Sequence, residues 1–139
     1  MNCSVVIPVY RGEATLPPLI ERLGNVLPTI SKSYEVILVN DDSPDNSWAV
    51  IEQLADKYSW VRGIHLMRNF GQENATLCGI REACYDVIVT MDDDLQHAPE
   101  DLPKLIAKLD EGFDVVFGVP SIRPRSDGDP GVAALFNSI

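Results

Sequence analysis

The sequence is short of basic residues. Its 139 residues include 11 Lys and Arg against 21 Asp and Glu, which gives a formal net charge of −10. A domain with this charge repels polyanions over long distances. We therefore do not expect the protein to bind nucleic acid, or to be drawn to an anionic membrane by its overall field.

Cysteines and long apolar runs are also scarce. The three cysteines, Cys3, Cys78 and Cys84, are an odd number without a C-x-x-C spacing, which indicates reduced, buried thiols in a cytosolic protein. The longest apolar runs, such as 36–39, have only the length of a strand, and the N-terminus lacks a basic segment followed by an apolar one. We expect neither a signal peptide nor a membrane-spanning helix in this chain.

Two glycine-rich phosphate-binding motifs are missing as well. The sequence contains neither G-x-G-x-x-G nor G-x-x-x-x-G-K-[ST]. These motifs cradle phosphates with backbone N–H groups at the start of a helix. Their absence removes the main support for a dinucleotide-binding or P-loop interpretation.

What is present is an alternation of apolar runs and segments of helical period. The predicted strands are 3–10, 34–40, 61–67, 86–91 and 114–119, and the predicted helices include 15–27, 72–84 and 99–111. This order predicts right-handed βαβ units and a mostly parallel sheet covered on both faces, hence an α/β fold. Residues 133–139 look like the opening of a further helix, so we expect a fragment of a longer chain.

The strongest functional signal follows the fourth predicted strand. Asp92, Asp93, Asp94 and Gln96 lie where parallel sheets bind ligands, beyond the carboxyl ends of the strands. Carboxylate and amide oxygens suit a hard divalent cation, so Asp92, Asp94 and Gln96 are predicted ligands of Mg²⁺ or Mn²⁺. In an extended turn Asp93 would point away from the other two. The alternative is a solvated acidic turn that caps the next helix.

Acidic residues also follow the second predicted strand. Asp41 or Asp42 could accept a hydrogen bond from the ring N–H of uracil or guanine, because an ionised carboxylate is an acceptor at neutral pH. An Asx turn and helix cap is the alternative at this position. After the third strand, Arg68, Asn69 and Gly71 precede a helix, and a helix start beside a glycine favours an anion such as phosphate.

Four segments in register resemble the family 2 glycosyltransferases of the GT-A fold. They are V-V-I-P-V-Y-R-G-E at 5–13, V-N-D-D-S-P-D at 39–45, R-N-F-G-Q-E-N-A at 68–75 and M-D-D-D-L-Q-H-A-P-E at 91–100. The closer likeness is to the subgroup that transfers a sugar to polyprenyl or dolichyl phosphate. The resemblance implies a Rossmann-like three-layer sandwich with a mostly parallel central sheet. It also implies a nucleotide-sugar-binding catalytic core over 1–120 and, over 121–139, an acceptor-loop region that opens a truncated C-terminal part.

The resemblance assigns roles to particular residues. Together with the helix start described above, it places the nucleotide beside Pro8, Tyr10, Glu13, Asp41, Asp42, Arg68, Asn69, Gly71 and Asp93. Asp92 and Asp94 resemble the catalytic D-x-D pair, and Gln96 resembles a further ligand on the metal side. Arg123 and Arg125 fall where the subgroup has acceptor-loop arginines, although a solvated loop is the alternative there.

The function implied by the resemblance is metal-dependent, inverting transfer of a sugar from a UDP- or GDP-sugar to polyprenyl phosphate. A lipid phosphate is already anionic, so it needs orientation and charge compensation by Arg rather than a general base. We expect a cytoplasmic enzyme that meets the membrane face only through a C-terminal part beyond residue 139. A nucleotidyltransferase-like enzyme and a donor-binding fragment without turnover are the alternatives. A receiver-like domain is disfavoured, since it needs an acidic pair after the first strand and a Lys after the fifth.

Overall fold

The computed structural model describes residues 2–95 and 98–112, together with the backbone of 115–118 and 132–136. Strands and helices alternate along the chain, as the apolar pattern predicts. The elements are β1 (Asn2–Val9), α1 (Leu16–Ile30), β2 (Ser33–Asn40), α2 (Ser47–Lys57), β3 (Val61–His65), α3 (Gln72–Glu82), β4 (Val87–Thr90), a 3₁₀ turn (Pro99–Asp101), α4 (Leu102–Asp110), β5 (Val115–Gly118) and β6 (Val132–Phe136).

The four strands β1 to β4 form one parallel sheet in the order β3-β2-β1-β4. The two central strands are almost continuously apolar and buried, as expected of a sheet that is covered on both faces. Because the strands are parallel, their carboxyl ends meet at one edge of the sheet. The loops after β1, β2 and β4 therefore lie next to one another.

The sheet is the middle layer of three. On one face, β1 and β2 bury alternate residues such as Val5 and Leu38 against α1, α2 and α4. On the other face, Val6 and Val39 bury against Ala75 of α3. The two faces alternate along each strand with the period of two that a pleated strand imposes. The predicted α/β three-layer sandwich with a mostly parallel sheet is confirmed.

Pro8 lies in the central strand β1, yet its lack of an N–H costs the sheet no hydrogen bond. The pairing of β1 with β4 ends at Val6 and Thr90, and the Val6 carbonyl accepts a hydrogen bond from the Met91 N–H at 3.1 Å. Alternate residues of a strand direct their backbone groups to the same side, so the Pro8 nitrogen faces the space beyond the end of β4. Proline is therefore tolerated at this position, because β4 has ended and no strand of the described chain needs a hydrogen bond from residue 8.

Two expectations about the C-terminal part are wrong. The fifth strand was expected to extend the parallel sheet, but β5 pairs antiparallel with β6 in a separate two-stranded sheet. The expected helix opening over 133–139 is a strand over 132–136. The Ala and Leu residues there favour a helix in isolation, yet pairing with β5 satisfies the backbone and overrides that weak preference.

The expectation of three buried thiols is also wrong. Cys3 lies in the core, and burial raises the pKa of its thiol to about 11. Cys78 is half-buried and Cys84 is exposed. Cys84 follows the end of α3, and its backbone N–H donates a 2.7 Å hydrogen bond to Glu35. Among the helices of the described residues, none combines the length and the apolar character that a membrane span requires.

Helix α3 approaches the sheet most closely at Gly79. A Cβ at this position would clash with the Val6 side chain and lie 3.0 Å from Val39 Cγ2. Gly79→Ala is expected to lower the free energy of unfolding by about 1–3 kcal/mol, because overpacking outweighs the gain in helix propensity. Urea denaturation measures the change. Gly24→Ala is the matched control, since its Cβ would meet only the ring edge of Trp60 at 3.1 Å. Equal changes in the two variants would contradict the packing argument.

Candidate functional site

A cavity of about 340 Å³ opens at the carboxyl edge of the sheet. It lies between the ends of β1, β2 and β4 and the start of α3. Its lining residues are Pro8, Val9, Tyr10, Asp41, Asn69, Gly71, Gln72, Asp92, Asp93 and Asp94. Most of the residues predicted to contact nucleotide or metal therefore come together in space, although they are far apart in the sequence.

Three predicted nucleotide residues do not line this cavity. Glu13 is exposed, and its carboxylate accepts a hydrogen bond from the Asn46 N–H, at the start of α2. Asp42 is exposed and has a φ of 52°, in the left-handed region that Asp tolerates and Gly favours. Arg68 is exposed, with its guanidinium carbon 4.7 Å from the centroid of the Phe70 ring.

Three further predicted residues, Gln96, Arg123 and Arg125, lie outside the described residues. The first was predicted as a metal ligand, and the two arginines were predicted to bind the acceptor. Their roles stay predictions from the sequence.

Asp41 is buried at the end of β2, with a relative exposure of 3%. Its carboxylate accepts hydrogen bonds from the Phe70 N–H at 2.7 Å and from the Gly71 N–H at 3.0 Å. Gly71 has a φ of 94°, a conformation that suits glycine and directs the chain into α3. The carboxylate of Asp41 thus lies at the helix start where the sequence predicts a bound anion, and phosphate binding there stays a prediction.

The acidic turn, formed by Asp92, Asp93 and Asp94, is not extended. It bends at residues 93–95, with Leu95 in the left-handed region at a φ of 63°. The bend removes the basis for expecting Asp93 to point away from Asp92 and Asp94, and its predicted place beside the nucleotide stays a prediction. Asp93 lines the cavity, and its Oδ2 accepts a hydrogen bond from the Tyr10 N–H at 3.1 Å. Burial and the neighbouring carboxylates of Asp94 and Asp92 raise the pKa of Asp93. The hydrogen bond from Tyr10 lowers it, but by less.

Gln72 is a cavity residue that the sequence analysis missed. It is the first residue of α3, and its Nε2 donates a hydrogen bond of 2.6 Å to Asp92 Oδ1. The available signal was its place directly after Gly71, at the start of a helix that faces the carboxyl edge of the sheet. Nothing in the local sequence indicates a partner 20 residues away.

The carboxylates of the cavity fit a divalent ion that is shared with a ligand, rather than a closed metal centre. Over 2–95 and 98–112, no group of three or more His, Cys, Asp or Glu side chains is arranged to hold a metal ion by itself. Mg²⁺ is usually held by one or two carboxylates, with phosphate oxygens and water completing its shell. Asp92 and Asp94 line an open cavity large enough to admit such a ligand.

Known proteins resemble this chain in sequence and in fold. The model of the family described as "Glycosyl transferase family 2" matches residues 4–133. The undecaprenyl-phosphate 4-deoxy-4-formamido-L-arabinose transferase of Shewanella sediminis (strain HAW-EB3) is 46% identical to this chain over 124 residues. That alignment covers 88% of this chain and 38% of the relative, so this chain spans well under half of the relative's length.

Solved structures share the fold. The crystal structure of S. aureus TarS 1-349 superposes with a TM-score of 0.69 at 22% identity, covering 93% of this chain and 39% of that one. The mannosyltransferase PcManGT from Pyrobaculum calidifontis, in complex with GDP-Man and Mn²⁺, has a TM-score of 0.65 at 18% identity, covering 75% and 31%. At these identities the likeness concerns the fold alone. The family match and the shared fold together show that the chain belongs to the family 2 glycosyltransferases and has their GT-A fold.

Proposed function

We propose that this chain is the donor-binding part of an inverting glycosyltransferase that moves a sugar from a UDP- or GDP-sugar to polyprenyl phosphate. The observation that carries the proposal is the cavity at the carboxyl edge, where Asp41 and the acidic turn line the same space. The 46% identical relative is named as an undecaprenyl-phosphate sugar transferase, which supports a lipid-phosphate acceptor. In the whole protein, the acceptor end is expected at the cytoplasmic face of a membrane.

The nucleotide base is assigned to the Asp41 side of the cavity. Each oxygen of the Asp41 carboxylate accepts one backbone N–H, and a carboxylate oxygen retains a second lone pair. A ring N–H of uracil or guanine matches that remaining acceptor. Tyr10 also lines the cavity, and its ring, 46% exposed, could stack on a base. This arrangement suits either base, and hence a UDP- or a GDP-sugar donor.

The donor diphosphate is assigned to the side of the acidic turn. Asp92 and Asp94 would hold the divalent ion, with Gln96 as the further ligand predicted from the sequence. When bound, that ion neutralises the negative charge that develops on the departing nucleoside diphosphate. Without a cation, the carboxylates would repel a diphosphate, so nucleotide affinity should depend on the metal.

The acceptor would be oriented rather than deprotonated. Inversion by a single displacement needs the nucleophile held in line with the bond that breaks. A phosphate monoester is already ionised, and Arg123 and Arg125 are the residues predicted to compensate its charge. We therefore assign no general base within this chain.

Removing the metal provides the test of the donor site. UDP or GDP should raise the melting temperature in MnCl₂ and much less in EDTA. A nucleotide at a hundred times its Kd adds about 2.7 kcal/mol of stability. Asp92→Asn should abolish the dependence on Mn²⁺, whereas Asp110→Asn, which removes an exposed carboxylate on α4, should keep it. A chain that neither nucleotide stabilises in either condition would not be a donor-binding domain.

A further inference from the structure

The contact between Gln72 and Asp92 joins helix α3 to the acidic turn. Gln72 Nε2 lies 2.6 Å from Asp92 Oδ1, a short distance for a hydrogen bond from a neutral amide to a carboxylate. Both residues line the cavity. The bond therefore holds Asp92, a predicted metal ligand, inside the cavity where the metal would bind.

The amide restricts Asp92 in a way that favours one carboxylate orientation. The terminal torsion of an aspartate is broad, so a half-buried carboxylate can rotate about it unless a partner holds one oxygen. The Gln72 amide donates to Oδ1 of Asp92 and not to Oδ2. Oδ2 can therefore face the metal without competing with this hydrogen bond. Hydrogen bonds of this kind, made to the ligands of a metal, typically fix their direction and raise metal affinity.

The backbone that leads into Gln72 is held by the buried carboxylate of Asp41. The two hydrogen bonds from Phe70 N and Gly71 N to Asp41 fix the backbone directly before Gln72. Within α3, the Thr76 hydroxyl donates a 2.8 Å bond to the Gln72 carbonyl. The end of β2 is thus connected to the acidic turn after β4 through the start of one helix. These bonds fix the backbone at the start of α3, from which the exposed Gln72 side chain reaches Asp92.

We propose that Gln72 is a positioning residue that orients Asp92 for the divalent ion of the donor site. The inference rests on the proposed function, because it assigns Gln72 a role toward the metal that the donor diphosphate would share. Gln72 acts through Asp92 and not by contact with the sugar.

The experiment measures how nucleotide binding depends on Mn²⁺. At fixed UDP, and separately at fixed GDP, MnCl₂ is titrated and the concentration that gives half of the rise in melting temperature is recorded. Gln72→Met keeps the length of the side chain and its helix propensity but removes the donor. It should raise the Mn²⁺ midpoint about tenfold. Glu73→Gln, at the next position on the same helix, should leave the midpoint within about twofold of the wild type.

Two measurements on the same variant separate positioning from packing. If Gln72 acts through Asp92, Gln72→Met should raise the Mn²⁺ midpoint while the melting temperature without ligand stays close to that of the wild type. A purely structural residue would lower the melting temperature without ligand and leave the Mn²⁺ midpoint unchanged. Gln72→Ala loses the same hydrogen bond and replaces Gln72→Met if that variant does not fold.

The outcomes distinguish the two proposals. A wild-type chain that binds nucleotide with Mn²⁺, and a Gln72→Met variant with the same midpoint, would overturn the role of Gln72 and leave the proposed function intact. A wild-type chain without any Mn²⁺-dependent nucleotide binding would overturn both.

Discussion

Replacing Asp41 by alanine is expected to unfold part of the donor site as well as to weaken nucleotide binding. The substitution removes a buried carboxylate that accepts hydrogen bonds from Phe70 N and Gly71 N. A bond to a charged group contributes about 1.5–3 kcal/mol, and water can reach part of this loop, so we expect a loss of about 2–4 kcal/mol in the free energy of unfolding. Urea denaturation measures the loss, and titration with UDP and GDP in MnCl₂ measures binding.

A graded series makes the Asp41 prediction specific. Asp41→Asn keeps the shape and one oxygen, so it should lie between the wild type and Asp41→Ala in stability, since its amide cannot accept the second N–H. Asp42→Gly removes the adjacent carboxylate at a φ of 52°, where glycine is unstrained, and should change stability little. If Asp41→Asn and Asp42→Gly had equal stability, the anchoring role of Asp41 would be wrong.

The parallel sheet could be predicted because its signals are local. An apolar run over 34–40 predicts a buried strand, and the structure has β2 at Ser33–Asn40. The helix over 72–84 was predicted from its period and is found as α3 at Gln72–Glu82. Parallel order then follows from the alternation of elements, and with it the edge at which the polar residues meet.

Several features that the sequence did not predict depend on contacts between distant parts of the chain. Residues 132–136 suit a helix or a strand by composition, and only their pairing with β5 decides between them. Asp93 was placed by the alternation of an extended turn, but its partner is the Tyr10 N–H, 83 residues earlier. For Asp41 the sequence offered a cap or a base contact; the structure adds that its carboxylate holds the start of α3, and the base contact stays a prediction. No periodicity in one segment can reveal such partners.

Glu35 is the second place where a large effect is expected, at the end of the sheet opposite to the cavity. Its buried carboxylate accepts hydrogen bonds from the Ser4 hydroxyl at 2.7 Å, the Cys84 N–H at 2.7 Å and Arg62 Nε at 3.1 Å. Glu35→Ala should lower the free energy of unfolding by about 2–4 kcal/mol, because it leaves the buried Ser4 hydroxyl and the Cys84 N–H without their acceptor. Urea denaturation at neutral pH measures this loss.

Other carboxylates also make the wild type sensitive to acid. Burial opposes the ionisation of Asp45, but hydrogen bonds from Ser43 and Ser47 lower its pKa. The hydrogen bond from Arg22 lowers the pKa of Glu100. Acid unfolding of the wild type alone would therefore combine several groups, and a comparison with a variant is needed to isolate Glu35.

The pH dependence of Glu35→Gln isolates the contribution of the charge. Burial opposes ionisation of Glu35, yet the hydrogen bonds from Cys84 and Ser4 and the charge of Arg62 together lower its pKa. A lowered folded-state pKa means that the stabilisation is complete above the ordinary glutamate value of about 4.3 and is lost as pH falls through the folded value. The difference in unfolding free energy between the wild type and Glu35→Gln should therefore be constant near neutral pH and shrink on acidification. Glu21→Gln, at an exposed position of α1, should differ little from the wild type throughout. A Glu35→Gln difference that stays constant to the acid limit would show that the hydrogen-bonding shape, and not the charge, holds this end of the sheet.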